Sequence, residues 1–437
     1  MHPALPSQPI PSQVEHLTPE WVTSALRAGG FLDTARVARI EREILGQGEG
    51  FIGTIVRLRI TLDRPERAAP KTLIAKLPIS IAQNRTLGEM GGTYEREIRF
   101  YQALARDVGI RTPRCYYAAM DPNPAEGHER QIVSFLERLP LWLCRLLMSF
   151  FFWISRRSPR RYILLLEDLA PARVGNQVEG CSAREAECAV RALARMHARQ
   201  WNNPALEDLH WVAPIDTLSR FFHAMFLRAH GRFLEQFGPV FSPTLPDLAA
   251  WLERHALSLV RSLASLPRTL LHGDYRLDNL FFHEGPEGPE VIALDWQVVA
   301  LGPGELDLAY FITGNVRVHE AAGCERDLVR AYYEELRTHG VERHDWAACE
   351  RAYALSKVFV LYRMMSGLDL LDFYDARGQA LVEGWIARLS KLLPHDWAAL
   401  LADAPGRPDA LSTRGRVSQG SACRPPLSSG SDGGAGR

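Results

Sequence analysis

Lysine is scarce in this chain: of 51 basic residues only Lys71, Lys76, Lys357 and Lys391 are lysines. Arginine is therefore the default cation, and a lysine inside an apolar strand stands out, because ammonium and guanidinium groups are not interchangeable. Net charge is missing as well. The 51 acidic residues balance the 51 basic ones, which leaves no footprint for non-specific nucleic-acid binding, so no nucleic-acid partner is expected. The seven cysteines (115, 144, 181, 188, 324, 349 and 423) are dispersed and include no Cys-x-x-Cys pair. Such an odd, scattered set argues against a disulfide framework or a zinc site and fits a reducing, cytoplasmic setting. Met1–Gln13 is rich in Pro and Ser and lacks the apolar core of a secretory signal. Internal repeats, a P-loop and a Gly-x-Gly-x-x-Gly helix start are absent too.

What is present is an ordinary globular composition, 46% apolar over 437 residues, enough chain for two or three domains and a sizeable core. Its most informative stretch is Leu270-Leu271-His272-Gly273-Asp274-Tyr275-Arg276-Leu277-Asp278-Asn279-Leu280-Phe281-Phe282, followed by Val291-Ile292-Ala293-Leu294-Asp295-Trp296. It reads as an apolar strand, a polar loop, a second apolar strand, a turn rich in Gly, Pro and Glu, and a third apolar strand ending in an acid. Two carboxylates and a carboxamide then project from neighbouring strand ends. Phosphoryl transfer needs this set: one Asp to orient a hydroxyl and take its proton, an Asn and a second Asp to hold divalent cations. The offset from Asp274 to Asn279 matches that of the protein-kinase catalytic loop, with His-Gly-Asp in place of His-Arg-Asp and Asp-Trp-Gln in place of Asp-Phe-Gly.

On Leu-His-Gly-Asp-x-x-x-x-Asn-Leu, Ala-Leu-Asp-Trp and Asp307-Leu308-Ala309, the chain resembles the aminoglycoside phosphotransferase and choline kinase superfamily from about residue 40 to 400, and its ecdysteroid-kinase-like branch most of all. The resemblance implies an α+β, two-lobed, protein-kinase-like fold with an antiparallel sheet in the N-terminal lobe and a mainly helical C-terminal lobe. It implies Asp274 as catalytic base and Asn279 and Asp295 as metal ligands, with ATP and Mg²⁺ as cofactors. Expected boundaries are a flexible leader over 1–15, an N-terminal lobe over 16–166, a catalytic and acceptor-binding lobe over 167–403 and a disordered tail over 404–437, too poor in apolar surface to fold.

Upstream, Thr18-Pro19-Glu20 is a helix start. Val37–Leu62 reads as strands broken by Gly46-Gln47-Gly48-Glu49-Gly50-Phe51-Ile52-Gly53, a hairpin whose amides could approach phosphates through Gly48 and Gly50. A glycine-rich hairpin is more often merely a hairpin; its place before a lysine strand favours a nucleotide cover. In Lys71-Thr72-Leu73-Ile74-Ala75-Lys76, Lys76 lies inside the apolar run and Lys71 at its edge. Lys76 either holds α/β-phosphates and a helix glutamate or snorkels to solvent. On the helix expected at about 89–106, Glu97 lies nearer the apolar stripe of Ile98, Tyr101 and Leu104 than Glu95 does and is the preferred partner of Lys76; either glutamate could instead pair with a neighbouring arginine. Tyr162–Leu169 looks like the connector between lobes, with the backbone around Glu167 and Leu169 reading an adenine edge, although its apolar part equally suits a plain core strand.

An insertion-like stretch at about 123–160 contains the apolar run 139–157, shorter than the ~20 residues of a membrane span and followed by Arg156, Arg157, Arg160 and Arg161. It suits a helix packed on the protein or a partner, an interfacial membrane helix, or a span. His197 reads as a core histidine, His272 as a brace of the backbone, and Asp307 as a helix N-cap; the resemblance implies that Asp307 also braces the catalytic loop. The aromatics of residues 221–251 are core residues, some of them candidates to line an acceptor pocket. The reading is a small-molecule kinase acting on a hydroxyl; the alternative is a kinase-fold binding protein without transfer activity, which the complete Asp274, Asn279 and Asp295 set disfavours.

Overall fold

The computed structural model describes residues 8–45, 53–79, 82–124, 126–140, 143, 147, 159–239, 241, 245–285, 288–367, 376–393, 396 and 399–400. Helix α1 (Pro19–Ala28) begins as its sequence dictates. Thr18 Oγ1 accepts from the Trp21 N–H and Pro19 takes the first helical position, where no N–H is needed. The stretch 8–15, expected to be flexible, is docked on this helix. The Gln8 side chain donates to the Trp21 carbonyl, the Trp21 indole donates to the Pro9 carbonyl, and Ile10 packs against the lobe's core.

Five strands follow, β1 (Val37–Leu45), β2 (Gly53–Leu62), β3 (Thr72–Pro78), β4 (Cys115–Met120) and β5 (Tyr162–Glu167), forming one antiparallel sheet in the order β1-β2-β3-β5-β4. Period-two alternation in β2 and β3 sends Val56, Leu58, Leu73, Ala75 and Leu77 to one buried face, where they meet Trp21, Val22 and Leu26 of α1. Lys76 falls on the opposite face by the same alternation, beneath helix α3 (Thr93–Ala103). The helix expected at about 89–106 is α3, which begins after Gly92, its N-cap with φ +65°; a separate helix α2 (Ala82–Met90) precedes it.

The remaining elements are α4 (Glu129–Arg138), β6 (Arg173–Val174), α5 (Ala183–Arg199), β7 (Ala213–Pro214), α6 (Ser219–Phe237), α7 (Leu245–Ala264), β8 (Thr269–Leu271), β9 (Leu280–Gly285), β10 (Gly288–Ala293), β11 (Ala300–Gly302), α8 (Glu305–Asn315), α9 (Ala321–Thr338), α10 (Trp346–Gly367) and α11 (Ala376–Leu392). The fold is α+β: a sheet-based N-terminal lobe and a mainly helical C-terminal lobe. Helix α5 opens with a capping box in which Ser182 and Glu185 satisfy each other's backbone N–H groups. Two cores fill the helical lobe. One, around Trp296, Tyr275 and Phe311, carries β8, β9 and β10; the other lies among α6, α7, α10 and α11.

The lobes are fastened beside the site. Phe100 of α3 and Trp296, both fully buried, stack with centroids 3.9 Å apart and planes 7° from parallel, a contact of about 0.5–1.5 kcal/mol beyond its burial. Most of the 139–157 run, like the tail from 401 on, lies outside the described residues. No helix among the described residues is long and apolar enough to cross a membrane.

Candidate active site

Strands β8, β9 and β10 deliver the chemistry-bearing loop. Between β8 and β9 the chain turns at Gly273, where φ is +80° and a Cβ would lie 2.3 Å from the Val298 carbonyl oxygen. Glycine is therefore dictated both by backbone conformation and by close approach. The turn brings Asp274 against Asn279, whose Nδ2 donates to the Asp274 carbonyl at 2.9 Å and to its Oδ2 at 2.9 Å. The Leu294 N–H donates to the Asn279 carbonyl at 2.9 Å, so Asp295 emerges next to the same loop. Asp295 has φ +63°, a left-handed conformation that aspartate tolerates better than most residues.

Asp274 is held by three donors. Besides Asn279, the Tyr310 hydroxyl donates to Oδ1 at 2.6 Å and Arg276 Nε to Oδ2 at 3.1 Å. Burial, and then the Asp274 charge, push the Tyr310 phenol well above its ordinary range. Asp274 foremost, against the opposing effect of burial, raises the Arg276 guanidinium. Both groups thus stay protonated and donate. Neither was singled out from sequence. Tyr310 had a signal, three residues after Asp307 on the same helical face.

Lys76 reaches across from β3. Its Nζ donates to Glu97 Oε1 at 2.8 Å and to Asp295 Oδ1 at 2.8 Å. Glu97, rather than Glu95, is its partner: Glu95 is taken by Arg99, Arg160 and Asn123. Burial acts to depress the lysine, but Asp295 and Glu97 outweigh it and raise it. For Asp295 burial acts upward, and Lys76 outweighs it and holds the carboxyl below its usual range. Glu97, deep and sharing one ammonium with a second carboxylate, is pushed up chiefly by burial. The Gln297 side chain donates to Glu97 Oε2 at 3.2 Å. Arg96 donates to the Gln297 carbonyl at 2.9 Å and the Trp211 carbonyl at 3.3 Å.

The loop is braced from below. Asp307 Oδ2 accepts the His272 N–H at 2.6 Å and Oδ1 accepts the Gly273 N–H at 3.0 Å. The N-cap expectation for Asp307 is corrected: Gly304 takes that position and Asp307 sits inside the first turn, its carboxylate spent on the loop. His272 Nε2 lies 2.8 Å from the Leu294 carbonyl and accordingly donates to it, leaving Nδ1 to accept the Asp274 N–H at 3.3 Å. His197 is fully buried, between the Tyr332 hydroxyl at 2.7 Å and Asp307 at 3.4 Å.

The connector residues are placed differently from one another. The Glu167 carboxylate accepts the Arg114 N–H at 3.0 Å and so is turned to the loop before β4. Leu169 is half-buried, and its N–H has no acceptor among the described residues. Gly48 and Gly50 lie outside the described residues.

The donors fit a hard divalent cation. Asn279 spends its Nδ2 on Asp274, which leaves Oδ1 free of protein donors among the described residues, and Asp295 has one oxygen, Oδ2, not taken by Lys76. Neutral and anionic oxygens of this kind are what Mg²⁺ selects.

Residues 151–342 match the family model of the Ecdysteroid kinase-like family. Mouse acyl-CoA dehydrogenase family member 10 is 45% identical over 69 residues, 16% of this chain and only 6% of that protein's length. Similar solved structures include amicoumacin kinase hAmiN in complex with AMP-PNP, Ca²⁺ and Ami, with 12% identity, TM-score 0.45, and coverage of 82% of this chain and 91% of that one. Choline kinase from Cryptosporidium parvum Iowa II has 8% identity and TM-score 0.45, with coverage of 81% and 88%.

Proposed function

We propose that the chain is an ATP- and Mg²⁺-dependent phosphotransferase that moves the γ-phosphoryl group to a hydroxyl of a small organic molecule. The observation that carries this reading is the single cluster formed by Asp274, Asn279, Asp295, Lys76 and Glu97, drawn from both lobes. Asn279 Oδ1 and Asp295 would hold the cations, whose chemistry when bound would be neutralisation of phosphate charge. Lys76, kept in place by Glu97, binds nucleotide phosphates. The Leu169 N–H, without an acceptor among the described residues and at the end of the connector, is suited to an adenine acceptor nitrogen. Gly48 and Gly50 are the proposed phosphate-approaching positions of the hairpin.

Asp274 orients the acceptor hydroxyl and takes its proton. Three donors fix the orientation of its carboxylate, and with a loose transition state it is positioning that this residue chiefly has to supply. Positioning and charge stabilisation supply most of the acceleration, which explains why the groups stand on strand ends packed around Trp296.

The test is Asp274→Ala in an ATP-consumption screen across alcohols, steroids and aminosugars, with nucleotide binding measured alongside. Turnover should vanish while nucleotide affinity stays within a few-fold of the native chain. Turnover that persists in the variant overturns the assignment of the base. A native chain that binds nucleotide yet consumes none with any acceptor points to the binding-protein reading.

A further inference from the structure

Away from the proposed phosphotransfer site, three side chains of different donor chemistry converge at the starts of two packed helices. Glu305 is the first residue of α8, Cys349 lies in the first turn of α10, and His344 immediately precedes the Asp345 that caps α10 through the Ala348 N–H. All three are buried, Glu305 at 1% exposure and Cys349 at 0%. One oxygen, one ring nitrogen and the sulfur lie within 4.8 Å of one another. His344 Nε2 and Glu305 Oε1 are 2.7 Å apart.

We propose that Glu305, His344 and Cys349 form a binding site for a zinc-class transition-metal ion that rivets the N-terminus of α8 to that of α10. Nitrogen, sulfur and carboxylate oxygen are the donor set that zinc takes, and three protein ligands leave one coordination position open. Charge closes the case. With the thiol and the imidazolium deprotonated, one carboxylate and one thiolate neutralise a divalent ion and leave no net charge buried. Binding therefore breaks the S–H bond of Cys349 and the Nε2–H bond of His344, and both protons leave to solvent. The dispersed cysteines gave no zinc spacing because two ligands sit five residues apart across a helix start and the third comes from another helix.

The ion would act on structure, not on phosphoryl transfer. Helix α8 also carries Asp307 and Tyr310, so fixing its first turn fixes the braces of the catalytic loop. Co²⁺ is the probe: the full chain, reduced with a phosphine and freed of metal, is titrated in weak buffer. One equivalent should give a thiolate-to-cobalt charge-transfer band, abolished in Cys349→Ser and displaced by Zn²⁺, with release of protons on binding. Zn²⁺ should raise the thermal midpoint of the native chain and leave that of Cys349→Ser unmoved. Asp295→Asn should keep the band, because an all-oxygen site cannot produce it. A missing band at one equivalent, or a band that survives Cys349→Ser, overturns the proposal; neither outcome touches the phosphotransfer reading.

Discussion

Tyr310 donates a 2.6 Å hydrogen bond to the same carboxylate, that of Asp274, which an acceptor hydroxyl would have to approach. The phenol approaches from α8, and Arg276 and Asn279 hold the other oxygen, so the rotamer of Asp274 is fixed before any acceptor arrives. Hydrogen bonds to a charged group contribute about 1.5–3 kcal/mol. Tyr310→Phe should therefore lower kcat roughly 10- to 100-fold, with the nucleotide KM nearly unchanged. Steady-state kinetics with varied nucleotide checks this, and a rise in nucleotide KM at constant kcat would assign Tyr310 a different task.

The ammonium of Lys76 is shared between Glu97 and Asp295, and its titration sets the pH range of the lobe junction. Its folded pKa lies above the ordinary value, so its stabilisation is fully present below about pH 10.4 and lost as pH rises through the folded value. The Asp295 carboxyl is lowered, so its contribution is present above about pH 3.9 and lost as pH falls through the folded value. Lys76→Met leaves two carboxylates facing each other and should cost about 3 kcal/mol near neutrality, the low end for a broken buried pair because Asp295 is a third exposed. Thermal midpoints of both chains across pH should converge at the acid and alkaline extremes.

Arg96 makes a different kind of junction. Its guanidinium donates to the carbonyls of Gln297, Trp211 and Gly91, and burial lowers its pKa. Three carbonyls in different directions suit the planar fork of arginine and not a point charge. Arg96→Lys should fail to rescue Arg96→Met, and both should raise the nucleotide KM several-fold while the pH profile of kcat stays put. Kinetics on the pair of variants checks it.

The proximity of the candidate groups was legible because they are close in sequence: His272 to Asn279 lie on one loop, and Asp295 follows one hairpin later. Lys76 was legible because lysine is so rare here. The links that join the lobes were not. Gln297 meets Glu97, and Arg96 meets Gln297, across some 200 residues, and nothing in a helix's periodicity says which distant carbonyl an arginine will find. Tyr310 lay between these cases, on the helical face that Asp307 already marked. The leader failed as a composition argument: Pro and Ser are abundant in residues 8–15, yet the Trp21 indole needs an acceptor when packed and finds it at Pro9. Asp307 carried the right residue and the wrong position, since Asp is common both as a cap and as an acceptor inside a first turn.

Gly273 joins backbone geometry to chemistry. At φ +80° a Cβ costs about 1–2 kcal/mol, and at 2.3 Å from the Val298 carbonyl it must also push the turn before β11 away. The Gly273 N–H is one of the two that Asp307 holds, so the displacement passes directly to the neighbouring Asp274. Gly273→Ala should lower the thermal midpoint and reduce kcat by at least 100-fold, because small misplacements of a reacting group are costly. Asp307→Asn weakens the same brace without adding a Cβ, and should produce a smaller loss of stability with a comparable loss of turnover. If Gly273→Ala melts like the native chain and turns over normally, the loop is not held where the Asp307 hydrogen bonds place it.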